Sequence, residues 1–296
     1  MTTPHPARWP ISDAALDARL RLSHEDFRAM IDDFMAAVEL PPYDDAFYER
    51  AIAYPWSRPT GSYALDGDEV LPLDPERAAA VGLANRAPLL AIGSNGAPST
   101  LVRKFAHLPP AERRLVVVAG RLHGFDVGPA ARVTPYGSLP ATLFESPGTA
   151  VRASVLWVTS AQLSALTWSE LSYFLGWLAP AAFEPDAPPG ETGTPAVAQA
   201  LVYISRWGTL TDGEGPVALD ALPADGRTAA AWDQARLLDL LAAEAGTGAA
   251  DGRALLRHLT EQPAGFMQAL HPWLSARAVP LASPAWHPYP TAPTRR

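Results

Sequence analysis

The stretch Leu89-Leu90-Ala91-Ile92-Gly93-Ser94-Asn95-Gly96 carries an apolar run into a tight, glycine-flanked loop, and Ala97-Pro98-Ser99-Thr100 behind it signals a helix start. A strand that runs into such a loop and then a helix presents backbone N–H groups and the positive end of a helix dipole. The guest suited to that cradle is a small anionic group, phosphate or carboxylate. Gly93 and Gly96 allow the close approach and unusual dihedrals such a loop needs. Without further context, Gly-Ser-Asn-Gly is also an ordinary turn. Ser94 invites a reading as a hydrolase nucleophile. The pattern Gly-x-Ser-x-Gly would need glycine at position 92, where Ile92 stands.

Other chemistry-bearing residues are sparse. The chain of 296 residues contains no cysteine, which excludes disulfides, cysteine zinc sites and a thiol nucleophile. Its seven histidines are scattered, and no pair has the spacing of a helical metal site, so neither metal nor cofactor is expected. The net charge of −8 argues against a nucleic-acid partner. Lys104 is the one lysine; with Arg103, Arg113 and Arg114 it reads as a solvated positive face that could alternatively pair with a carboxylate. No apolar run approaches the ~20 residues that span a bilayer, and residues 1–10 lack a signal-peptide core. The expectation is a cytoplasmic protein with no membrane partner.

The elements around the loop follow from periodicity and punctuation. A helix is predicted over residues 13–40, ended by Pro41-Pro42, with a second over residues 44–53. Residues 62–86 read as irregular with a short helix at 75–81. Strands are predicted at 89–92, 115–120, 131–134, 138–144, 151–158 and 197–204, with a turn at Glu145-Ser146-Pro147-Gly148. Along 151–158, Val151, Ala153, Val155 and Trp157 share a face. Ser99 or Thr100 is expected to cap a helix over 99–107, and Thr159-Ser160-Ala161-Gln162 fits a capping box opening a helix through Leu163, Leu166 and Glu170. Helices are expected again at 228–245 and 252–276, with Pro263 as a break or first-turn residue. The order predicts an α+β fold: a small mixed β-barrel or sheet at residues 87–210, a helical extension at 1–86, and a second at 211–296 on the same body.

The central block, about residues 88–206, resembles the gamma-glutamylcyclotransferase-like family. Ile92-Gly93-Ser94-Asn95 stands where that family has Tyr-Gly-Ser-Asn after its first strand. Ala141-Thr142-Leu143, followed by Pro147-Gly148-Thr149-Ala150-Val151-Arg152-Ala153, resembles its Ala-Thr-Leu and Pro-Gly-x-x-Val-x-Gly passage. Leu166-Thr167-Trp168-Ser169-Glu170 resembles its Leu-Asp-x-x-Glu, and Ala200-Leu201-Val202-Tyr203-Ile204 its closing strand. Ile92, Ala153 and Thr167 depart from the family's tyrosine, glycine and aspartate.

The resemblance implies an enzyme that releases 5-oxoproline from a small γ-glutamyl amide or amine by intramolecular aminolysis. Glu170 would be the general base, its carboxyl raised in a partly dry pocket beside Trp168. Ile92, Gly93, Ser94, Asn95, Gly96 and Tyr203 would bind substrate. Tyr54, Trp56 and Tyr173 read as core or pocket wall. A binding or scaffold protein that keeps the fold without turnover is the alternative that the three departures and the added helices support; a serine hydrolase built on Ser94 is the third. The oligomeric state and the particular γ-glutamyl compound stay open.

Overall fold

A computed structural model describes residues 10–290. The N-terminal helices are α1 (Ala14–Leu20), α2 (His24–Ala37) and α3 (Asp45–Ile52), capped by the side chains of Asp13, Ser23 and Asp44. The expected single helix over 13–40 is two, because the Ser23 hydroxyl accepts the Asp26 N–H and starts a new helix. Next come a β-hairpin, β1 (Tyr63–Asp66) and β2 (Glu69–Pro72), and α4 (Pro75–Val81). The hairpin falls where irregular chain was expected. Its signal is Asp66-Gly67, with Gly67 at φ 64° in the two-residue turn.

Strand β3 (Ala87–Ala91) leads through a 3-10 turn, Ser94–Gly96, to α5 (Pro98–Phe105). Neither Ser99 nor Thr100 caps α5: Ala97 is the cap residue and Pro98 opens the helix. A long ribbon follows, β4 (Leu115–Pro129) against β5 (Ala141–Val158). The expected strand at 131–134 is a turn instead, held by the Thr134 N–H on Ser138 O. The expected turn at 145–148 is a bulge within β5. Phe125 pairs with both Glu145 and Ala150, leaving residues 146–149 out of the ladder.

Helix α6 (Ser160–Ser169) carries the predicted capping box on Thr159 and Gln162. It is followed by β6 (Tyr173–Leu178), β7 (Phe183–Pro185), the single-turn α7 (Pro189–Thr192) and β8 (Ala200–Ser205). Three helices come later: α8 (Gln234–Glu244), α9 (Gly252–Glu261) and α10 (Pro263–Ala276), with Pro263 in the first turn.

The fold is α+β around one mixed sheet in the order β6-β8-β3-β5-β4-β1-β2, with the short strand Trp286–Pro288 beyond β6. Among the described residues no pairing joins the two ends, so of the expected barrel or sheet the structure has an open mixed sheet. Strands β3 and β8 are parallel, Leu89 opposite Leu201, and the flanking pairs β3–β5 and β6–β8 are antiparallel. The C-terminal ends of β3 and β8 therefore open on the same edge, where a crevice forms.

The two sheet faces bury two cores. Val151, Ala153, Val155 and Trp157 share one core with Tyr54 and with Leu237, Leu255 and Leu270 of the C-terminal helices. Leu156 and Val158 face the other core, with Leu101, Leu163 and Tyr203. Among the described residues no helix is long and apolar enough to cross a membrane.

Buried polar side chains fix the helices to the sheet. Fully buried Gln162 donates to Glu112 O and Arg114 O and accepts from Arg86 and the Thr159 N–H, anchoring α6. Arg206, between the Phe27 and Phe174 rings, donates to Leu20 O and Leu22 O and docks the α1–α2 junction. Gln234 of α8 receives the Leu139 N–H at 2.9 Å and donates to Leu139 O at 2.8 Å. Replacing Gln234 with alanine strands a buried donor and a buried acceptor. The expected cost is about 2–3 kcal/mol, read as a lower urea midpoint at unchanged m-value.

Candidate active site

The crevice at the ends of β3 and β8 is lined by Tyr54, Leu90, Ala91, Ile92, Gly93, Ser94, Asn95, Tyr136, Ala141, Glu170, Tyr173 and Tyr203. It is narrow, about 30 Å³, room for one or two water molecules. Glu170 lies at its wall. This glutamate is not inside α6, as the periodicity suggested, but just past the helix end at φ −114°, ψ 26°. Its N–H bonds to Thr167 O, and its carbonyl accepts the Tyr173 N–H, so a tight turn carries the chain from α6 into β6.

The Glu170 carboxylate faces the loop after β3. Oε1 accepts from Asn95 Nδ2 at 3.1 Å and from Lys104 Nζ at 2.6 Å, and the same ammonium donates to Asn95 Oδ1 at 2.8 Å. The three side chains form a closed triangle. It is well shielded, with the Lys104 side chain 8% and the Glu170 side chain 14% exposed. Lys104 was expected on a solvated face; instead α5 turns it back over the loop that precedes it. No sequence signal separated it from Arg103, which lies one residue away on the same helix. Glu170 Oε2 makes no hydrogen bond among the described residues. Trp168, expected beside this carboxylate, is 41% exposed and donates its indole N–H to Asp13 at 3.1 Å.

The loop residues serve different ends. The Ile92 side chain is core, while its carbonyl and that of Gly93 accept from Arg58 Nη2 at 3.3 and 2.7 Å. Gly96 does not line the crevice. Its N–H is used on Gly93 O in the 3-10 turn, its carbonyl accepts from Tyr63, and Arg58 packs against it. Of the loop's anticipated backbone donors, Gly96 is thus unavailable to a guest. Tyr203 lines the crevice with its hydroxyl on Thr167 at 2.8 Å. Ser94 has no histidine among the crevice residues to activate it, and His123 pairs with Glu184 elsewhere.

One residue reaches the site from a part of the chain without a recognised match, and a second lies close by inside the central block. Tyr54, just after α3, accepts the Ala141 N–H at 2.8 Å. Its oxygen fits because residue 93 is glycine: a Cβ there would stand 2.6 Å from it. Arg132 is buried, stacks on Trp207 at 4.6 Å, and leaves Nε and Nη1 without partners. Burial pulls its guanidinium below the usual value, while Tyr173, Tyr136 and Glu170 act electrostatically in the opposite direction. Lys104 balances Glu170, and the Arg132 guanidinium has no carboxylate partner of its own among the described residues. Among the described residues there is no cluster of histidine and carboxylate groups that could hold a metal ion.

No family model, curated protein or solved structure matches this chain.

The crevice tyrosines make stability depend on alkaline pH. Burial favours the neutral phenol and pushes Tyr54 from the ordinary 10.0 to about 12, with Tyr136, Tyr173 and Tyr203 also raised. A folded-state value above the unfolded one stabilises fully below about pH 10 and is lost as pH climbs through the folded value. Unfolding free energy is expected to fall from about pH 10 to pH 12, with tyrosinate absorbance appearing together with loss of near-ultraviolet dichroism. Tyrosine ionisation preceding unfolding would contradict this assignment.

Proposed function

We propose that the protein is a gamma-glutamylcyclotransferase-like enzyme of the corresponding fold, acting on a γ-glutamyl amide or amine. The observation that carries this reading is the Asn95–Lys104–Glu170 triangle, which sets a shielded carboxylate against the Gly93–Asn95 backbone in one crevice. One fact supports an anionic, amino-acid-like guest: the Arg132 guanidinium, in electrostatic reach of Tyr136, Tyr173 and Glu170, leaves Nε and Nη1 without partners.

In this reaction the substrate's α-amine attacks its own side-chain carbonyl. Glu170 Oε2, the free oxygen, takes a proton from the attacking nitrogen. A C–N bond forms, the carbonyl π pair moves onto oxygen, and a tetrahedral intermediate results. When that pair returns, the bond to the leaving amine breaks and Glu170 gives its proton to that amine. The products are 5-oxoproline and a free amine, with no net gain or loss of electrons or water. Lys104 and Asn95 hold the other carboxylate oxygen and so aim Oε2. Confinement in the crevice supplies the proximity that a five-membered ring closure exploits.

The crevice is closed to a whole substrate at its present size. Half-buried Tyr136, which lines it, and Trp56, whose ring meets that of Tyr136 at 5.4 Å, must shift to admit one. This tightness, with Glu170 already paired to Lys104, favours one alternative: a binding protein that holds a related amino-acid ligand without turnover.

One assay separates the two readings. Wild-type protein is expected to release 5-oxoproline from at least one member of a panel of γ-glutamyl amino acids, glutathione and γ-glutamyl amines. Glu170→Gln is expected to lower kcat by about 100-fold or more while the far-ultraviolet spectrum is unchanged. Full activity in Glu170→Gln would refute the base assignment; wild-type binding without release would favour the non-catalytic reading.

A further inference from the structure

The hydroxyl bonds of three crevice tyrosines can be assigned one at a time, since each phenol has a single donor. Tyr173 donates to Ala141 O at 3.2 Å. Tyr203 meets Thr167 Oγ1 at 2.8 Å; Thr167 already gives its own proton to Leu163 O at 2.7 Å, so Tyr203 is the donor. Tyr136 lies near Thr134, whose proton goes to Ser138 O. Tyr54, unlike Tyr173 and Tyr203, is used as an acceptor. Its oxygen receives the Ala141 N–H at 2.8 Å and is also faced by the Ser94 N–H, and its own O–H donates to no described group.

We propose that Tyr54 is a catalytic hydrogen-bond donor, presenting its free O–H to the γ-glutamyl carbonyl oxygen as that oxygen becomes negative. The assignment rests on the γ-glutamyl reading of the site. Backbone N–H groups bonded to the phenol oxygen draw electron density from it and strengthen its outgoing bond. The donor is preorganised. Its ring is buried and packed against Trp56 at 5.6 Å and Tyr136 at 6.5 Å, and its oxygen sits over Gly93 where any side chain would collide. The phenol stays neutral across the working range, because burial lifts it to about 12.

No proton leaves Tyr54 in the step. The carbonyl π pair moves to oxygen as the C–N bond forms, the oxyanion is held by the phenol, and the pair returns as the leaving amine departs. The donor comes from the chain after α3, outside the block that resembles the family. Residues 87–210 alone would lack it.

The test is Tyr54→Phe in the full chain, assayed for 5-oxoproline release. The expected result is a fall in kcat of about 100-fold or more with little change in KM, as for loss of one oxyanion donor. Replacing Tyr54 with fluorotyrosines of graded acidity keeps the ring and its bonds even if the phenylalanine variant folds poorly. The alkaline limb of kcat should then move to lower pH in step with phenol acidity, which a packing role would not produce. Wild-type kcat in Tyr54→Phe, or a pH profile unmoved by fluorination, overturns the role of Tyr54 alone. A wild type that turns over no γ-glutamyl compound overturns the underlying reading and this donor with it.

Discussion

The site depends on one buried ion pair. Lys104 and Glu170 come from the ends of two helices and meet at 2.6 Å with Asn95 bridging them. Removing either partner of such a shielded pair leaves the other uncompensated, at a cost of order 3–5 kcal/mol. Neither charge can be relocated cheaply, so the loop after β3, the helix α5 behind it and the turn that ends α6 are held in one relative position. The same constraint leaves one Glu170 oxygen without a partner.

Around that pair the added helices shape the crevice as well as cover the sheet. Arg206 ties the α1–α2 junction to the end of β8, and α3 delivers Tyr54 to Ala141 and Gly93. From the other end of the chain, Gln234 grips both backbone groups of Leu139, within the turn that carries Tyr136 to the crevice. The β5 bulge excludes residues 146–149 from the ribbon, whose far end places Ala141 beside the loop. Both Ala141 backbone groups are then used by tyrosines, the N–H by Tyr54 and the carbonyl by Tyr173. The crevice is thus assembled from every third of the sequence.

Much of this was legible in local pattern, and the misses have physical causes. The capping box at Thr159, the first-turn Pro263 and the alternation along 151–158 are short-range signals, and each is present. The loop at 93–95 and Glu170 share one crevice, a pairing that only the family resemblance implied. Hidden was whatever depends on long-range contact. Lys104 looks like a surface residue until α5 folds it over Asn95, and Trp168 donates to Asp13, a partner 155 positions away. Tyr54 could be read as wall but not as a bonded group, because its partners lie 87 positions away in Ala141 and beside Gly93. The choice between a barrel and an open sheet likewise depends on edge pairing that periodicity does not encode.

The central claim is that the Gly93–Asn95 loop and Glu170 form a single binding site for an amino-acid-like carboxylate. A crystal structure of the protein with 5-oxoproline tests it most directly. The account predicts the ligand between the loop and Glu170, its carbonyl on the Tyr54 hydroxyl and the Trp56–Tyr136 pair displaced. Density for 5-oxoproline only elsewhere, such as the larger cleft walled by Arg58, Arg121 and Arg152, or an empty crevice at saturating ligand, would contradict it.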